Sequence, residues 1–97
     1  MTNPKELDIW RKGQTHNITW DRVGHMHASV KIELLNSRRQ FVRWIISNTS
    51  NDGSHPWSIP ANVSDGNYII RVKTLDDAVQ GESKAFRIMQ QFFLIPH

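Results

Sequence analysis

The run WRKGQTHNITW, residues 10–20, decides the fold. From Gln14 to Asp21 an extended chain places His16, Ile18 and Trp20 on one side and Thr15, Asn17 and Thr19 on the other. A period of two marks a half-buried strand, whereas a helix repeats its apolar residues three and four apart. The same alternation returns in Val30, Ile32 and Leu34 against Lys31 and Glu33. It recurs in Tyr68, Ile70 and Val72 against Ile69, Arg71 and Lys73, and in Phe86 and Ile88 against Ala85, Arg87 and Met89. Turn-forming clusters separate these runs: Lys12-Gly13, Asn36-Ser37-Arg38, Asn51-Asp52-Gly53-Ser54, Ser64-Asp65-Gly66-Asn67, and Asp76-Asp77 followed by Gly81. Short strands at this spacing, with no long helical pattern, predict an all-β sandwich or barrel.

Residues 41–47 are harder to read. As a regular strand they put Val42, Trp44 and Ile46 on one face and Phe41, Arg43 and Ile45 on the other. Phe41, Trp44 and Ile45 also satisfy helical spacing, but seven aromatic and β-branched residues between turns are short for a helix. The segment is expected to be a strand, deeply buried or with one apolar face left for a partner.

The 97 residues suit one domain with one core. The net charge of +3 is scattered, without the dense basic stripe that nucleic-acid binding needs, so no nucleic-acid partner is expected. The absence of cysteine excludes disulfides and thiolate chemistry. Phe92-Phe93-Leu94-Ile95 is too short to span a bilayer. Met1-Thr2-Asn3-Pro4 lacks the form of a secretory signal, so the chain is expected to be cytoplasmic or cut from a longer exported protein.

In order along the chain stand NP, W…GQTHNITW, VKIELL, WIISNTSNDGSHPWSIP, GNYIIRV and SKAFRI. This series resembles the Ser-Thr-rich glycosylphosphatidylinositol-anchored membrane family, which includes fungal cell-wall assembly proteins involved in β-1,6-glucan. Similar modules occur in bacterial and archaeal surface proteins. The resemblance covers residues 3–88 and rests most on Trp10, Gly13, Ile18, Trp20, Gly53, Trp57, Pro60, Tyr68 and Phe86. It implies an immunoglobulin- or fibronectin-III-like β-sandwich of about seven strands, outside the cell or on its surface, with no catalytic residues. Residues 89–97 would be a tail or an extension of the last strand. The Ser/Thr-rich stalk and anchor signal of that family do not follow Phe86, which favours a piece of a longer chain over a complete protein.

Three sequons, at Asn17, Asn48 and Asn62, would be glycan acceptors in a secreted eukaryotic chain. Asn48-x-Ser50-x-Asp52-Gly53 has the beginning of a calcium loop, but Ile59 stands where a bidentate Glu is needed, and one carboxylate holds calcium poorly. His25-Met26-His27 offers two imidazoles and no predictable third ligand for zinc. No nucleophile sits on a recognisable strained turn, and Asp76-Asp77 is a pair only in sequence. Neither enzyme activity nor a cofactor or metal is therefore expected.

With Trp20, Trp57 and Tyr68 assigned to the core, Trp10 and Trp44 are the rings expected near the surface, where aromatic faces stack on sugars or anchor protein contacts. Arg43, Arg71, Lys31 and Lys73 would surround such a patch if their strands are neighbours. The expected function is that of a non-catalytic surface module, a spacer or adhesion unit contacting other modules of its parent chain. The alternatives are a module that binds cell-wall polysaccharide, or another surface protein, through Trp44, and a cytoplasmic protein-interaction domain.

Overall fold

Each alternating run becomes a strand. The structure is a computed structural model that describes residues 2–21 and 28–90. Eight strands form: β1 (Ile9–Arg11), β2 (Thr15–Thr19), β3 (Ser29–Asn36), β4 (Phe41–Ser50), β5 (Ser54–Ser58), β6 (Gly66–Thr74), β7 (Gln80–Glu82) and β8 (Phe86–Met89). There is no helix among the described residues. The count exceeds seven because β1 and β7 hold three residues each, too few to display a period. Gly81, read as a chain breaker, lies inside β7.

The strands form two sheets. The larger has the order β1-β8-β6-β3-β4, with β7 also on β6, and the smaller is the antiparallel pair β2-β5. β7 and β8 follow one another along the same side of β6, opposite Arg71–Lys73 and Gly66–Tyr68 respectively. Between them Ser83 holds the register: its amide donates to Ile70 O at 2.8 Å and its hydroxyl accepts from Ile70 N at 2.9 Å. The N-terminal segment switches sheets. Asn3 bridges to Thr19 on β2, and the chain then crosses to pair β1 parallel to β8. Gly13, at φ 85°, supports the turn back to β2. This is an immunoglobulin-like sandwich.

The inner faces of the sheets meet in one core. Ile18, Trp20 and Trp57 come from the smaller sheet and its edge, and Val30, Ile32, Ile70, Val72, Phe86 and Ile88 from the larger. Tyr68 opens β6 and its hydroxyl donates to Ser64 O at 2.5 Å, the arrangement known in such sandwiches as a tyrosine corner. In disulfide-bearing relatives of the fold a half-cystine follows that tyrosine by two residues. Here the position is Ile70, fully buried. Apolar packing stands in for the covalent bridge.

Trp20 does more than fill space. Its indole N–H donates to the buried Asn51 Oδ1 at 3.0 Å, and its backbone N donates to Gly53 O at 3.0 Å. Asn51 N in turn donates to Ala28 O at 2.9 Å. The crossing from β4 to β5 is thereby fastened to the end of β2 and the approach to β3. Gly53 has a φ of 88°, and a Cβ there would stand 3.1 Å from Trp20 O, so the turn requires glycine.

Trp10 corrects an expectation: it is 3% exposed. In the parallel pairing it lies opposite Ile88, an inward position, and its ring stacks on His16 at 4.6 Å and meets Phe86 at 5.0 Å. Trp44, by contrast, is 45% exposed. Replacing Trp10, Trp20 or Trp57 by Ala should therefore each cost about 3–5 kcal/mol, and Trp44→Ala well under half of that. Urea melts of the four variants test the division, and equal losses would contradict it.

Candidate functional site

The outer face of the larger sheet carries the most organised exposed chemistry. On β3 the inward residues Val30, Ile32 and Leu34 leave Lys31, Glu33 and the fully buried Leu35 on the opposite face of the sheet. Glu33 lies between Arg71 on β6 and Trp44 on β4. β4 is irregular, with register shifts between Val30 and Ile32, Ile32 and Glu33, and Leu34 and Leu35. Each shift gives β4 one residue more than its partner, a bulge that turns the following side chains.

These bulges overturn the expected division of residues 41–47. Phe41 and Trp44, placed on opposite faces by strict alternation, pair with the outward Leu35 and Glu33. Their rings meet edge to face at 5.3 Å and 65°, forming an exposed aromatic shelf. Lys31 Nζ lies 5.7 Å from the Trp44 ring centroid, within range of a cation–π contact.

Beside the shelf runs a ladder of ion pairs. Glu33, only 3% exposed, accepts from Arg71 Nε and Nη2 at 2.6 Å and from Lys73 Nζ at 3.2 Å. Asp77 joins Lys31 at 2.8 Å to Lys73 at 3.2 Å. Those two lysines, Lys31 first, hold the Asp77 carboxyl below the usual carboxylate range. Glu82 bonds Arg39 at 2.7 Å and faces Arg71 at 3.6 Å. Every charge in the ladder is engaged, so the face offers donors and acceptors with little free charge.

Of the residues expected to form a contact site, Trp44 and Arg71 share this face, joined through Glu33. Lys31 and Lys73 lie on it as well. Arg43 does not: it pairs with the inward Leu34, and its guanidinium donates to Asn62 Oδ1 at 2.8 Å. Trp10 belongs to the core. Phe41, Glu33, Glu82, Arg39 and Asp77 were missed as site residues. Alternation gave the outward direction of Glu33 but not its cross-strand partners.

The sequon residues Asn17, Asn48 and Asn62 are all solvent-exposed. In the calcium-like segment, Asp52 Oδ1 accepts from Ser54 N at 3.2 Å and closes its own turn. Among the described residues no group of three or more His, Asp or Glu is placed to hold a metal. Residues 25–27 and the apolar residues 92–95 lie outside the described part of the chain.

The strands and sheets together define an immunoglobulin-like module whose outer sheet surface exposes Trp44 and Phe41. A family model for the Kre9/KNH-like N-terminal Ig-like domain matches residues 3–88, and the chain belongs to that family. It is a family of fungal cell-wall glucan assembly, and its Ig-like domain is a structural, cell-wall-related module, not a known enzyme family. No curated protein matches the chain.

Two predictions follow from the geometry. Arg71→Met leaves the buried Glu33 carboxylate with Lys73 alone and should destabilise by about 1–3 kcal/mol. Glu33→Met in the same background should recover part of that loss in urea melts, and no recovery would mean that Arg71 acts by packing. The second prediction concerns pH. Burial, against a smaller opposing effect of Asp8, lowers the pKa of His16 from its usual 6.5, and burial lowers that of His55 against Asp52. The unfolded chain then binds protons more readily than the folded one below pH 6.5. Stability should be complete above that value and decline as the pH falls toward the folded-state pKa values. Urea midpoints should show this decline, and His16→Gln should flatten it. A midpoint independent of pH across the window would contradict the reading.

Proposed function

We propose that this chain is a contact module of a larger cell-surface or cell-wall protein, and that it adheres through the Phe41–Trp44 shelf. The observation that carries the reading is the shelf itself. A small β domain needs its large aromatics for burial, yet this one leaves Trp44 and Phe41 about half exposed beside a self-neutralised ladder of ion pairs. Exposed large aromatics ringed by polar groups are the usual anchors of binding surfaces. The Ser/Thr-rich stalk and lipid anchor suggested by the resemblance belong, on this reading, to the rest of the parent chain, and the module acts outside the cell without a catalytic step.

One observation favours polysaccharide over protein as the adhesive partner. The Trp44 ring meets Phe41 only edge-on and is capped by a single ammonium, which leaves ring surface for the apolar face of a sugar. Hydroxyls of the same sugar would then reach Lys31 and the Glu33–Arg71 pair. Co-sedimentation with a panel of insoluble cell-wall polysaccharides, with tryptophan fluorescence of soluble fragments, tests both levels. Retention with saturable quenching, reduced about tenfold or more in Trp44→Ala, is the expected outcome. Retention on wall fractions but on no purified glycan would favour a protein partner at the shelf. No retention at all would leave the module a spacer, and equal retention of the variant would place the binding away from the shelf.

A further inference from the structure

A cleft opens beside β1 and β8, at the far edge of the larger sheet from Trp44. It has a volume of about 340 Å³ and is lined by Leu7, Ile9, Ala85 and the edge of Phe86, with Ser37, Asn67 and Arg87 as polar members. That size lies within the roughly 300–1,000 Å³ typical of ligand-binding clefts. Leu7 is 81% exposed and Ile9 51%. Leu7 is also strained, with a φ of 66° that a bulky side chain rarely adopts. The strain is held in place: Leu7 N donates to Ala85 O at 3.1 Å, and Arg87 N to Asp8 O at 2.8 Å. The backbone is thus fixed so as to present a leucine to solvent, and strain of this kind gathers at binding and catalytic sites.

The charges around the cleft give the occupant its sign. Among the described residues Arg87, with Arg38 and Lys84 beside the lining in sequence, has no ion-pair partner, unlike the cations near Trp44. The nearby acids are committed or outnumbered. Asp65, which feels Arg87, is bound to Lys12 at 2.6 Å, and Asp8 accepts from Lys5 N at 2.9 Å. Glu6, next to Leu7 in sequence, stands exposed with its carboxylate unpaired among the described residues.

We propose that this cleft binds an extended acidic segment of another protein, one that alternates carboxylates with large apolar side chains. An apolar side chain of the segment packs over the exposed Ile9 and Ala85, under Leu7. A carboxylate takes the two-pronged Arg87 guanidinium, and the Asn67 amide serves the segment's backbone. This site is independent of the Trp44 shelf, so either stands if the other fails.

The test uses the 97-residue chain and a fluorescein-labelled hexapeptide alternating aspartate with leucine and phenylalanine, followed by anisotropy at low salt. Controls replace aspartate by lysine, or the apolar residues by serine. The parent peptide should bind about tenfold or more tightly than either control, and Arg87→Glu should remove that margin. Leu7→Gly should weaken binding while the melting temperature holds or rises, because glycine accepts a φ of 66° without strain. A structural role for Leu7 would instead lower the melting temperature. The proposal is overturned if no peptide binds, if the three bind alike, if Leu7→Gly leaves affinity intact, or if Trp44→Ala abolishes binding.

Discussion

A two-stranded sheet is at best marginal in water, so β2 and β5 persist because their inner face is seated on the larger sheet. In a chain without cysteine that seating is wholly non-covalent. It is concentrated in three tryptophans with different tasks. Trp57 brings aromatic bulk from β5, and Trp10 reaches across from the edge of the larger sheet to stack on His16. Trp20 ties the end of β2 to Asn51 and Gly53, where the chain crosses between sheets. The polar run between Trp10 and Trp20 is the outer surface of the strand that these rings hold down.

How much of this the sequence could say depended on length and regularity. β2, β3, β6 and β8 each carry enough residues for a period of two to stand out, and the inward faces of Ile18, Val30, Ile70 and Phe86 followed from it. The turn before Tyr68 was legible too, but the hydroxyl bond that makes it a tyrosine corner was not. β1 and β7 were too short to read. The burial of Trp10 was hidden for the same reason, since a three-residue strand has a direction only through its partner, and β8 is distant in sequence.

The makeup of the exposed outer face was half legible. The exposure of Trp44 was read by elimination once Trp20 and Trp57 were given to the core, an elimination that left Trp10 outside as well. Its neighbour Phe41 was assigned to the wrong side, because alternation assumes equal residue counts in both strands and β4 runs ahead of β3 at three places. Arg43 lies on the face opposite Trp44, as alternation has it, and grouping it with the Trp44 patch ran against that pattern. The ladder through Glu33 joins strands by register, a property of pairs of strands and not of any one of them. Glu33 and Arg71, neighbours across β3 and β6, are 38 positions apart in the chain.

The bulges of β4 have one more effect. β4 is the last strand of the larger sheet, ten residues long, and carries exposed Phe41 and Val42. A straight strand of that length and composition would be a template for adding strands from other molecules, the first step of aggregation. Three breaks in its hydrogen-bonding rhythm deny a newcomer any long run of matching donors and acceptors. The irregularity that brings the two aromatic rings together thus also blunts the edge on which they stand.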